Sequence, residues 1–220
     1  MTVFSAANSA AIRVTGVELT ALFSNPDQIA MEFRDLINET AADIAKSFDW
    51  RDLTRVATFD GDGGTTIFPK PSDFDRMLVS ADDQRNWFWG YFPFATVSEF
   101  LRWRNSNWGQ VSPGGWIIMG GAFEFQPAPV GGATFPYISR MWSRADDGTE
   151  KPEFTSDTDT FALSERLLTL GLIWRYRAQK GVDYSEDMAN YEGALAQAQS
   201  RDAGAQMIRS RPYINRSRVF

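Results

Sequence analysis

One stretch constrains this chain more than any other: residues 154–202, FTSDTDTFALSERLLTLGLIWRYRAQKGVDYSEDMANYEGALAQAQSRD. Leu163, Leu167, Leu170, Trp174 and Arg177 recur at helical spacing, and Leu168, Leu172 and Tyr176 widen the apolar stripe. Thr160 or Ser164 offers an oxygen to the first-turn amides, which lack helical partners. Gly181 is expected to end the helix, because glycine enters the left-handed conformation without a steric penalty. Asp183 and Glu186 have the spacing of a capping box opening a second helix, on which Tyr184, Met188, Tyr191, Leu195 and Ala198 share a face. So short a connection makes the two helices antiparallel neighbours.

A second helix signal stands near the other end. Asn25-Pro26-Asp27-Gln28 combines a capping side chain, a proline suited to the first helical position and an acid in the first turn. Ile29, Phe33, Leu36, Ile37, Ile44 and Phe48 then line one face as far as about Trp50. Glu32, Asp35, Glu39 and Asp43 fall on the opposite face, read as solvated or partner-facing. Before it, Val3 to Val14 has the composition of a brief helix.

From Arg51 the helical period is lost. Val56–Phe59 and Thr65–Phe68 read as strands around the turn Asp60-Gly61-Asp62-Gly63-Gly64, and Phe74–Val79 as another. Thr96 or Ser98 starts a short helix through Phe100, Leu101 and Trp103. Trp116–Met119, Ala122–Gln126 and Thr134–Trp142 are further predicted strands, divided by glycine and proline. The expected fold class is α+β: an antiparallel α-helical bundle core with a small antiparallel β insertion and an extended C-terminal tail. The expected divisions are 1–50 (helical core), 51–150 (β-rich insertion), 151–202 (helical hairpin) and 203–220 (tail).

Composition narrows the chemistry. At 220 residues the chain can bury a sizeable core. It has no run of eighteen apolar residues, and its N-terminus lacks the basic-then-apolar order of a signal peptide, so a soluble protein not secreted by that route is expected. Without cysteine there is no thiolate metal site or disulfide; without histidine the commonest neutral-pH acid–base group is missing. Eight tryptophans and seventeen phenylalanines suit packing and interfaces. Neither a cofactor nor a metal is expected.

Charge is unevenly spread. Of 22 basic and 28 acidic residues, only four arginines and no acid lie in 203–220; residues 1–202 therefore carry 18 against 28, or −10, and the tail +4. An acidic body does not suit gripping phosphates. The tail interleaves its arginines with Met207, Ile208, Tyr213, Ile214, Val219 and Phe220, apolar residues that a purely solvating tail lacks. Pro212 forbids a long helix there.

The order of several short motifs resembles the head-to-tail adaptor (connector) proteins of tailed bacteriophages. These are Phe48-Asp49-Trp50-Arg51; Phe68-Pro69 with Pro71-Ser72-Asp73-Phe74-Asp75-Arg76; Phe154 through Thr160; Leu170-Gly171-Leu172-Ile173-Trp174-Arg175; and Lys180-Gly181-Val182-Asp183-Tyr184. The resemblance covers roughly residues 26–202. It implies a non-enzymatic virion protein, made in the host cytoplasm and placed at the head–tail interface. Its partners would be copies of itself in a ring, commonly twelvefold, the portal protein above, a downstream tail or nozzle protein below, and DNA passing non-specifically through the lumen, with no membrane. It further implies a C-terminal arm reaching the portal, here Ile208, Arg209, Arg211, Tyr213, Ile214, Arg216, Arg218 and Phe220. Leu167, Leu170, Trp174, Tyr184 and Tyr191 are the candidate helical core or inter-subunit residues. Trp87, Trp89, Tyr91 and Phe92 are candidate tail-facing or interface aromatics.

Asp60-Gly61-Asp62-Gly63-Gly64 is faintly like a calcium loop, but its twelfth position is Pro71 where a bidentate Glu is needed, so a turn is expected. Asp157 and Asp159 have the look of paired catalytic carboxylates, yet two acids ahead of a helix are expected from capping alone. Trp87, Trp89, Tyr91, Phe92 and Phe94, with Trp103, Trp108 and Trp116, suit a sugar-stacking platform or a base-stacking groove, which makes a carbohydrate- or surface-binding module the alternative function. Core packing or an interface explains them more simply.

Overall fold

The computed structural model describes residues 2–78, 87–106 and 113–203. Five α-helices lie among them: α1 (Val3–Thr15), α2 (Gln28–Lys46), α3 (Val97–Arg104), α4 (Glu165–Gln179) and α5 (Ser185–Ala203). Ten strands accompany them: β1 (Thr54–Asp62), β2 (Ile67–Pro69), β3 (Phe74–Met77), β4 (Phe92–Pro93), β5 (Gly115–Met119), β6 (Ala122–Gln126), β7 (Val130–Ser139), β8 (Ser143–Arg144), β9 (Glu150–Lys151) and β10 (Thr160–Phe161). They form three sheets, ordered β1-β7-β3, β2-β6-β5-β4 and β10-β8-β9.

This architecture overturns the expected helical-bundle core with a small antiparallel β insertion. The fold is a mixed α+β one with substantial sheet content, and one strand pair, β4–β5, is parallel. The reason is local. Strands of two to four residues are too short to show an alternating pattern, and the β10-β8-β9 sheet is assembled wholly from such pieces. The predicted hairpin around Asp60–Gly64 is also corrected. β1 runs on to Asp62 and pairs over its whole length with β7, while β2 pairs with β6. Asp62 Oδ1 then takes the amides of Gly64 and Thr65 at 2.9 and 2.6 Å, which turns the chain out of the strand.

The helices gather on α4, against which α1, α2 and α5 all pack. Gly171 marks the closest approach: a Cβ there would lie 2.4 Å from Thr40 Cγ2 on α2 and 3.3 Å from Tyr191 Cε2 on α5. Ala6, Ala7, Ala10 and Ala11 are buried on α1, and their small side chains let that helix lie close as well. The end of α4 is as expected. Gly181 has φ 69°; its N–H donates to Ala178 O at 3.1 Å and that of Val182 to Arg177 O at 3.0 Å, a Schellman motif.

Other termini differ from expectation. No side-chain bond caps Ser164, the N-cap of α4. Asp183 accepts the amide of Ser185 at 3.0 Å, two residues on rather than the three a capping box uses. α2 opens at Gln28 with Asp27 as its N-cap, beyond Pro26. Three of the four acids of α2 are engaged within the chain: Glu39 and Asp43 both pair with Arg175, and Glu32 with Lys180, tying α2 to α4.

Two hydrophobic clusters result. One joins the helices and also takes in Ile138, Trp142, Phe154 and Phe161 from the strand and loop segments. The other is almost entirely aromatic: Phe59, Phe68, Phe88, Tyr91, Trp116, Phe123, Phe125, Phe135 and Tyr137, with Ala133.

Candidate functional site

The motifs that carried the resemblance meet one another in space. After α2, Trp50 folds under the helix end and its Nε1 donates to the carbonyl of Ile44 at 2.8 Å, an acceptor it shares with the N–H and Oγ of Ser47 at 3.2 and 2.8 Å. Arg76 on β3 reaches the same turn, with Nε on Asp49 Oδ1 at 3.0 Å and Nη2 on the carbonyl of Phe48 at 2.7 Å. Arg51 closes the arrangement from the other side. Its N–H donates to Asp202 Oδ2 and its Nη2 to the carbonyl of Ala203, both at 3.0 Å. Gln199 adds a bond to the carbonyl of Ser47 at 3.4 Å. Thus Phe48-Asp49-Trp50-Arg51 joins α2, the first sheet and the last turn of α5, and it holds the chain at the point where residues 204–220 begin.

A second constellation explains Phe154–Thr160. The side chain of Asn38 on α2 pairs with the backbone of Phe154 as a strand would, accepting its N–H at 2.8 Å and donating to its carbonyl at 3.3 Å. Asp157 accepts the amides of Leu22 and Phe23 at 3.1 and 2.8 Å. Asp159, only 1% exposed, accepts from Lys151 Nζ at 2.6 Å and from the amides of Thr155 and Ser156 at 2.7 and 3.0 Å. Burial works to raise the pKa of this carboxyl, but the bonds from Lys151 and the two amides outweigh it and hold it below the usual value. The two acids therefore anchor loops, and the amides they hold belong to neither turn of α4. Among the described residues no His, Cys, Asp and Glu side chains group as a metal site would require.

The named core residues on α4 and α5 do come together. Leu167 is buried and Leu170 half-buried against the helical cluster. Trp174 is half-buried, with ring centroids 6.2 Å from Tyr184 and 6.1 Å from Tyr191 and the Arg175 guanidinium 5.1 Å from its own. Tyr191 is buried, while Tyr184 stays 39% exposed. Of the other aromatics, Tyr91 is buried, and Trp87 and Trp89 pack half-buried on the aromatic cluster, Trp89 Nε1 donating to Gly131 O at 3.1 Å. Phe92 is 40% exposed. The arm residues Ile208, Arg209, Arg211, Tyr213, Ile214, Arg216, Arg218 and Phe220, like Val79 and Trp108, lie outside the described residues.

Sequence reading missed Asn38, Arg51, Arg76 and Lys151. The signal for Arg51 and Arg76 was present, since each lies in a motif that carried the resemblance; Asn38 and Lys151 lie outside those motifs and had none.

The chain uses these motifs to join its own segments and to clamp the start of a basic, apolar C-terminal extension. It belongs to the SU10 adaptor protein family, which it matches over residues 1–218. It is accordingly a phage adaptor, a virion component that works in contact with other head or tail proteins. No curated protein matches it. No helix among the described residues is long and apolar enough to cross a membrane.

Proposed function

We propose that the protein assembles as a ring, with twelve copies as the expected number, beneath the portal. There it extends the DNA channel and presents a surface to the next tail or nozzle component. Residues 203–220 are the portal-docking arm, with Ile208, Tyr213, Ile214 and Phe220 as apolar anchors and Arg209, Arg211, Arg216 and Arg218 as charged contacts. The observation that supports this reading most is the clamp of Arg51 on Asp202 and Ala203. An arm is useful as a fastening only if its root is fixed to the body, and here the root is bonded to the junction of helix and sheet. Many such arms carried by one ring bind at high effective concentration, so each need hold only weakly. The acidic body, −10 over residues 1–202, repels phosphates and lets DNA pass without adhering.

The role is structural, without catalysis. Asp157 and Asp159, the two acids that invited a catalytic reading, are occupied with backbone amides. The carbohydrate-binding alternative loses two members of its platform, because Tyr91 and Trp116 are buried. Replacing all four tail arginines with alanine is expected to leave the thermal transition of the body unchanged and to weaken attachment to the portal of the same phage, seen by electron microscopy of the mixture. Undiminished decoration of the portal would refute the arm. Glycan binding by the isolated subunit would favour the alternative.

A further inference from the structure

Two flanks of α4 are dressed differently. On one, α1 and α4 leave between them a groove of about 430 Å³, lined by Ser5, Ala6, Ser9 and Leu170 and flanked by Arg13 and Arg166, with Glu165 the single acid at its rim. On another, α5 covers Gly171 through Tyr191. Thr169, which lines the groove, and Gly171 are two residues apart, about 200° of helical rotation, so groove and α5 face away from each other. α1 and α5 each pack on α4 without comparable packing on one another. The outward side of α5 is exposed at Glu186, Ala189, Asn190, Glu192, Gly193 and Gln197, carrying small, amide and acidic side chains, and its first base is Arg201.

We infer that α5 of one copy seats its outward side in the α1–α4 groove of the next, and that this is the contact between neighbouring subunits. The inference rests on the ring proposed above and names its interface. Three features agree. The groove is apolar at its floor and carries two arginines against one glutamate; the opposing helix presents Glu186 and Glu192; and it exposes no aromatic side chain and no aliphatic one larger than alanine, Gly193 standing in open space. A groove on one flank and a matching ridge on the opposite one form a heterologous pair, the kind of contact that closes into rings where the rotation permits.

The chain has no cysteine, so engineered thiols report the contact without background. Full-length Ser9→Cys and Gly193→Cys proteins, mixed and assembled with the portal of the same phage, are expected to give disulfide-linked heterodimers on mild oxidation. The double variant S9C/G193C is expected to give a ladder up to the ring size. Arg13→Glu with Arg166→Glu should abolish assembly while circular dichroism stays unchanged, and adding Glu186→Arg with Glu192→Arg should restore it. Rings that form without crosslinks, or crosslinks between two Ser9→Cys copies alone, overturn this interface and leave the ring standing. A chain that stays monomeric with its portal overturns both.

Discussion

The two cores of this molecule solve the packing problem by opposite means. Around α4 the buried residues are mostly alanine, leucine and isoleucine, and helices approach until a single missing Cβ, at Gly171, decides whether they fit. Between the sheets nearly every buried residue is an aromatic ring; Phe88 alone lies within 4.8 to 5.3 Å, centroid to centroid, of Trp116, Phe125 and Phe135. Small side chains specify one close geometry and tolerate little enlargement, whereas large rings bury much area per residue and make truncation the costly change. The helical part is thus sensitive to added volume and the aromatic part to lost volume.

The largest effect should come from emptying the aromatic core. Phe123→Ala, at a fully buried position, is expected to destabilise by about 3–5 kcal/mol in denaturant unfolding. A loss near zero would mean that the rings are loosely packed and the contrast is false. Next, Asp159→Asn should lose about 1.5–3 kcal/mol at neutral pH by weakening the bonds from Lys151 and two amides. The sign of its pH dependence is fixed. Its folded pKa is lowered, so its stabilisation is fully present above the unfolded carboxyl value of about 3.9 and is lost as pH falls through the lower folded value. The variant should therefore show a flatter acid limb in melting temperature against pH.

In the helical core, Gly171→Ala is expected to destabilise by about 1–3 kcal/mol through overpacking, although alanine is the better helix former. Thr40→Ser, which removes the methyl that the new Cβ would strike and keeps the hydroxyl bonded to Leu36 O, should recover much of the loss. Failure to recover would place the clash on Tyr191 of α5, 3.3 Å from the new Cβ, rather than on α2. Smallest of all is a local titration. Asp62, fully exposed and bonded to the amides of Gly64 and Thr65, should titrate at about 2 by NMR, which would sharpen the placement of the turn that ends β1.

The two cores were also unequally legible in the sequence. Leu167, Leu168, Leu172 and Tyr176 recur with the helical period, and all are buried where that period puts them. Trp116–Met119 and Ala122–Gln126 were visible as strands because glycine and proline turns bound them, and the second also alternates in burial. What could not be read was partnership. Val56–Phe59 is next to Thr65–Phe68 in the chain, yet its ladder partners lie much farther on, with Val56 opposite Pro136 and Phe59 opposite Ala133, and no local pattern encodes so distant a choice. The pairing of Arg144 with Glu150 and with Thr160 was equally hidden, for segments of two residues have no period at all. The clamp on Ala203 was legible only in part. Its motif, Phe48 to Arg51, stood out by resemblance, but the partner of Arg51 is a backbone carbonyl, which every residue type provides.

That clamp has a mechanical consequence. Arg51 opens the short 3₁₀ turn that connects α2 to β1, so a pull applied beyond residue 203 does not merely unwind the end of α5. Tension is passed through the guanidinium into the seam between the aliphatic and the aromatic halves, and from there it is shared by both. A strap sewn at the seam loads the whole garment.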